Sequence, residues 1–189
     1  MIHYPICDIC FVNVILIGYM GCGKTTIGKQ LASAMNREFY DLDQLIEKQH
    51  GESISSIFEA KGAVHFRKIE SEALNELVNN QTSSVIATGG GTPVYGDNMT
   101  LINDKNKNCS VYLKVSSEIL YQRLWKQRKD RPLIPLINNQ NNLHEFIRRH
   151  MFERALTYET AMIKIDVSRI CPEEASKAIF EAYFKTISR

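Results

Sequence analysis

Short, solidly apolar runs alternate along the chain with longer stretches in which apolar residues recur at helical spacing. The run "VNVILI" (residues 12–17) is rich in β-branched residues, too brief for a helix and closed by Gly18, which predicts a buried strand. Beyond it, Ile27, Leu31 and Met35 fall four residues apart and so share one helical face. Comparable strands are predicted at 38–41, 84–88, 110–115 and 163–167, separated by segments of helical period. Phe66, Ile69, Ala73 and Leu77 form one such stripe, and Pro172 followed by Glu173 and Glu174 suits the start of a last helix. Alternation of this kind predicts an α/β domain on a parallel sheet, with ligands gathered beyond the carboxyl ends of the strands. The rhythm breaks at 126–142, "KQRKDRPLIPLINNQNN", where two prolines, a basic run and an Asn/Gln cluster predict a mobile lid loop.

The totals narrow this picture. A chain of 189 residues that is 44% apolar fits a single globular domain spanning 1–189, with residues 1–11 as an extension ahead of the first strand. A formal charge of +2 provides no bulk attraction for nucleic acid, so none is expected as a partner. No run approaches the roughly 18–20 apolar residues that span a bilayer, and the N-terminus shows no basic-then-apolar leader, which predicts a cytoplasmic protein with no membrane partner. Five scattered cysteines fit a reducing compartment. Cys7-x-x-Cys10 has no second pair to complete a zinc site, and the five histidines show no ligand spacing.

The chemistry begins at "GYMGCGKT" (residues 18–25), which matches G-x-x-x-x-G-K-[ST] between a predicted strand and a predicted helix. Backbone N–H groups of Gly21, Cys22, Gly23 and Thr26 would surround nucleotide phosphates, Lys24 would add a positive charge, and the Thr25 hydroxyl would face Mg²⁺. A GTPase would carry N-K-x-D, but Asn106-Lys107-Asn108-Cys109 lacks the Asp. A Walker B acid is missing too, because "SVIAT" ends in Thr88. The available acids are Asp41 and Asp43 in "FYDLD". As alternate residues of an extended segment, both would point into one cleft, Asp41 toward the metal with Thr25 and Asp43 toward an acceptor hydroxyl.

Where the Walker B acid would stand, residues 87–95 read "ATGGGTPVY". Taken in order, "GYMGCGKTT", "DLD", "FRKIE", "TGGGTP", "RPL" and "ERALTY" resemble the shikimate kinase family from about Val12 to the C-terminus. The resemblance implies a three-layer α/β/α P-loop kinase fold with a five-stranded parallel sheet and a lid. It implies phosphorylation of the shikimate 3-hydroxyl by ATP with Mg²⁺, in chorismate and aromatic amino acid biosynthesis, by a monomer.

The same resemblance makes Gly89, Gly90 and Gly91 the wall of the shikimate pocket, sets Arg67 and Arg154 on the carboxylate, and leaves the ring hydroxyls to Asp43. Glu70 would orient Arg67 from the same helical face. Phe58 and Phe66 would touch the ring, and Arg131 would close over the γ-phosphate, so that Lys24, Asp43 and Arg131 form the catalytic set. Arg169, through the loop to Pro172, and Arg123 would lie near the adenine. One departure stands out: the family's R-x-P-x-Y reads Arg154-Ala155-Leu156-Thr157-Tyr158 here, and without the proline Arg154 is expected to be less rigidly aimed. Two other readings stay open at this point, a P-loop kinase for gluconate or a nucleoside monophosphate, and a silent ATP or metabolite sensor.

Overall fold

The computed structural model describes residues 12–126 and 140–187. Five strands, β1 (Asn13–Ile17), β2 (Phe39–Asp41), β3 (Val85–Ala87), β4 (Asn108–Lys114) and β5 (Ile163–Asp166), form one sheet in the order β2-β3-β1-β4-β5. Each pairing is parallel. All five predicted strands are present. Around them lie α1 (Lys24–Met35), α2 (Leu42–His50), α3 (Ile54–Asn80), α4 (Asn98–Ile102), α5 (Ser117–Lys126), α6 (Gln140–Tyr158) and α7 (Pro172–Ile187).

Val14, Ile15, Leu16 and Ile17 are each fully buried. Successive strand residues point to opposite faces, so burial of all four means that layers cover the sheet on both sides. Asn13 is the polar exception, and its side chain fastens the strand starts together. Its amide donates to the Gln81 carbonyl at 2.9 Å, while its oxygen accepts from the Ser84 N–H at 3.0 Å. In α3 the predicted stripe of Phe66, Ile69, Ala73 and Leu77 is buried, and the helix is interrupted at Gly62, where φ is 79°.

Sheet register positions the chemistry. Leu16 pairs with Ala87, and Ala87 pairs with Asp41, so β1, β3 and β2 end level with one another. The glycine loop after β1, the triglycine after β3 and the carboxylate ending β2 therefore meet at one edge. This edge lies where the chain order reverses about β1, the usual place for a ligand in an open α/β sheet.

Candidate active site

The loop between β1 and α1 closes on Gly23, whose φ of 104° lies in the left-handed region that favours glycine. Without a side chain to cap the helix, Gly23 leaves the first N–H groups of α1 directed at the loop, an arrangement suited to an anion. Lys24 is buried, and its ammonium donates to the Gly18 carbonyl at 2.8 Å and the Tyr19 carbonyl at 3.2 Å. The Thr25 hydroxyl donates to Asp41 Oδ2 at 2.7 Å. A cleft here is lined by Gly21, Gly23, Lys24, Thr25 and Thr26, with Asp41, Asp43 and Gly90 facing them. Cys22 is buried behind the loop, its sulfur 3.7 Å from the Lys24 nitrogen.

The two aspartates reach this cleft by a different route from the extended one expected. Asp41 ends β2 and caps α2, its Oδ1 accepting from the Asp43 N–H at 3.2 Å and the Gln44 N–H at 3.4 Å. Asp43 belongs to the first turn of α2 rather than to the strand. A carboxylate suits that position, because the N-terminus of a helix carries partial positive charge. The D-x-D spacing thus serves as a helix start and as a pair of site acids together.

A second cleft adjoins the first, and Met20, Asp43 and Gly90 line both. From α3 it receives Arg67, whose guanidinium pairs with the buried Glu70 and stands 5.3 Å from the Phe66 ring centroid and 6.0 Å from that of Phe58. The triglycine forms the opposite wall. A Cβ on Gly89 would lie 2.6 Å from Glu70 Oε1 and 3.0 Å from Asp43 Oδ1; on Gly90 it would lie 3.0 Å from the Met20 nitrogen. A Cβ on Gly91 would fall on the Arg67 guanidinium itself.

A methyl at Gly91 displaces the guanidinium, and because this is the partner of the buried Glu70 carboxylate, some stability is lost with it. The displaced fork would no longer face the acceptor carboxylate that the resemblance assigns to it. Gly91→Ala is therefore expected to raise KM for the acceptor about tenfold, with KM for nucleotide little changed and the thermal midpoint lowered. Steady-state kinetics with each substrate varied in turn, together with a melting curve, check this.

Arg154 lines the same cleft from α6. Leu156, in place of the family's proline, is 85% exposed, and α6 runs on through it to Tyr158. Aim comes from elsewhere: Arg154 donates to the His150 carbonyl at 3.1 Å and stands 5.8 Å from the Tyr19 ring centroid. The Tyr19 hydroxyl lies 3.4 Å from His150 Nδ1, and burial pushes its phenol pKa up to about 12, against an opposing pull from Arg154. One turn beyond Arg154, Tyr158 is buried, and its hydroxyl donates to the Gly90 carbonyl. Burial raises the Tyr158 pKa as well, so both phenols stay neutral at physiological pH.

Lys24, Thr25, Asp41, Asp43, Arg67, Glu70, the triglycine and Arg154 are thus gathered around two joined clefts. Arg169 is exposed in the β5–α7 connection and lines neither. Arg123, on α5, donates to the Gly21 carbonyl at 3.2 Å, a P-loop contact rather than a purely solvated position. Arg131, most of the predicted lid and residues 1–11 lie outside the described residues. Sequence reasoning missed Tyr19, Met20, Ile54, Thr88, Thr92 and Tyr158. Tyr19 and Met20 were visible as the variable positions of the P-loop, and Tyr158 as the end of "ERALTY".

The shikimate kinase family model matches residues 20–187 of this chain. The chain belongs to the shikimate kinase family. It is 39% identical over 169 residues to a shikimate kinase of Flavobacterium johnsoniae, covering 89% of this chain and 97% of that one. Among solved structures, a shikimate kinase from Acinetobacter baumannii in complex with shikimate is 33% identical at a TM-score of 0.84, with 92% of this chain and 93% of that chain covered. A shikimate kinase from Bacteroides thetaiotaomicron is 32% identical at a TM-score of 0.82, with 90% and 97% covered. The α/β/α architecture with its parallel sheet is that of these shikimate kinases.

Proposed function

We propose that this chain transfers the γ-phosphoryl group of ATP to the 3-hydroxyl of shikimate, giving shikimate 3-phosphate and ADP in aromatic amino acid biosynthesis. One observation carries the reading. The P-loop cleft and a cleft with two arginines share Asp43 and Gly90 as their common wall. A substrate bearing a carboxylate at one end and hydroxyls at the other fits this division, because guanidinium forks suit the anion and a carboxylate suits the hydroxyls. Gluconate and a nucleoside monophosphate lose ground to the ordered motif set and to the shikimate kinases that share 32–39% of its residues.

Phosphoryl transfer through a loose transition state is chiefly positioning and charge neutralisation. In this reading the α1 N-terminus and the P-loop amides hold the phosphates. Lys24, donating to the Gly18 and Tyr19 carbonyls, would turn its remaining N–H toward the transferred group. Arg67 and Arg154 grip the shikimate carboxylate, and Asp43 orients the 3-hydroxyl and accepts its proton as the new P–O bond forms and the bond to ADP breaks. By the family resemblance Arg131 would add to the charge neutralisation.

Mg²⁺ fits the donors present. Thr25 and Asp41 form an all-oxygen pair at 2.7 Å, the hard ligand type that Mg²⁺ takes together with phosphate oxygens and water. No group of three or more His, Cys, Asp and Glu placed for a metal occurs among the described residues. When bound, Mg²⁺ would neutralise phosphate charge. No helix among the described residues is long and apolar enough to cross a membrane. We take the protein to be a cytoplasmic monomer built as a single domain.

The test is to incubate purified protein with ATP, Mg²⁺ and shikimate and to locate the phosphate by ³¹P and ¹H NMR. The reading predicts phosphorylation at the 3-hydroxyl. Phosphate on another hydroxyl would contradict the orientation assigned to Asp43 and the two arginines.

A further inference from the structure

The carboxylate of Glu70 is 1% exposed, a position in which each oxygen needs a partner. Oε2 meets the Arg67 guanidinium, and Oε1 accepts from the Thr92 hydroxyl at 2.6 Å. Thr92 is fully buried and is itself fixed on two sides. Its carbonyl accepts from the Asn98 amide at 2.8 Å, and its N–H donates to the Gly89 carbonyl at 3.3 Å, in the turn that follows the triglycine. Its β-branched side chain has few rotamers. The hydroxyl therefore holds Glu70 in one rotamer and ties the triglycine loop to the middle of α3.

We propose that Thr92 is a positioning residue of the acceptor site: through Glu70 it fixes the direction of the Arg67 guanidinium and thereby sets affinity for the carboxylate of the acceptor. The inference rests on Arg67 gripping that carboxylate. Without the hydroxyl, Oε1 of a buried carboxylate has lost its donor, and Glu70 can relieve this by rotating toward Arg67 or toward the space beside Gly89. Either rotation turns the fork. An unsatisfied buried polar group of this kind is worth enough to change affinity by about a factor of ten.

The experiment compares Thr92→Val, which replaces the hydroxyl by a methyl of similar size, with Thr92→Ser, which keeps the hydroxyl. Thr92→Val is expected to raise KM for shikimate about tenfold, with kcat and KM for ATP within about twofold of wild type. Thr92→Ser is expected to restore KM to within about twofold. In a Glu70→Gln background, Thr92→Val should add little, since the group it acts through is already altered. If Thr92→Val does not fold, Thr92→Ala removes the hydroxyl without placing a methyl against Glu70 and carries the same expectation.

An unchanged KM for shikimate in the variant lacking the hydroxyl, an equal rise in KM for ATP, or full additivity with Glu70→Gln overturns the inference while leaving the functional reading intact. Wild-type protein without shikimate-dependent turnover overturns both.

Discussion

Lys24→Met lowers kcat about a hundredfold or more, in the range found when one preorganised stabiliser of transition-state charge is removed. The ammonium is held out of water at 2.8 Å from the Gly18 carbonyl and 3.2 Å from the Tyr19 carbonyl, inside the loop that would receive the phosphates. A charge restrained this way needs little reorganisation when negative charge grows on the transferred oxygens, and it acts without the screening it would meet on the surface. Methionine preserves length and apolar bulk but leaves two carbonyls without their donor, so a stability loss of about 1–2 kcal/mol accompanies the kinetic one. Melting curves measured beside kcat separate the two effects. A folded Lys24→Met protein with near-normal turnover would remove the residue from the catalytic set.

Asp43→Asn is expected to lower kcat by about tenfold or more, with KM for ATP nearly unchanged. Full general-base catalysis would be worth more, but a loose transition state makes early removal of the hydroxyl proton less necessary. The position of Asp43 explains why nucleotide affinity should be spared. It stands in the first turn of α2 on the wall between the clefts, whereas the Thr25 hydroxyl bonds to Asp41. Neutralising an acid at a helix start also forfeits a few tenths of a kcal/mol of dipole stabilisation, too little to unfold the protein. Turnover close to wild type would reassign Asp43 as a structural helix residue.

Much of the fold was legible because the central strands β1, β3 and β4 are buried along nearly their whole length. Runs such as "VNVILI" have no polar face to confuse the period, and a glycine closes the run at Gly18. The P-loop was legible because its glycines and Lys24 answer to one ligand. Asp43 was misplaced because D-x-D satisfies two local grammars, alternation along a strand and capping of a helix, and the backbone chose the second. The contact of Arg154 with Tyr19 was out of reach for another reason: one lies on α6 and the other in the β1–α1 loop, far apart in the chain, and nothing local to either encodes the meeting. Thr92 was silent for the same reason. A threonine after three glycines reads as an ordinary turn residue until α3 brings Glu70 against it.

The triglycine also keeps the segment after β3 slim: a Cβ on Gly90 would lie only 3.0 Å from the Met20 nitrogen of the P-loop. The backbone after β3 approaches the P-loop closely, and acids from β2 and α2 face the same edge. The acceptor can then lie beside the phosphates, within reach of in-line attack.

The central claim is that the arginine-lined cleft selects shikimate. ADP release by the purified protein with MgATP, compared across shikimate, quinate, gluconate, AMP and no acceptor, tests it most directly. The account predicts turnover that depends on shikimate and stays near the no-acceptor rate with gluconate and AMP. Turnover driven by gluconate or AMP, or nucleotide binding with no acceptor-dependent turnover at all, would contradict it.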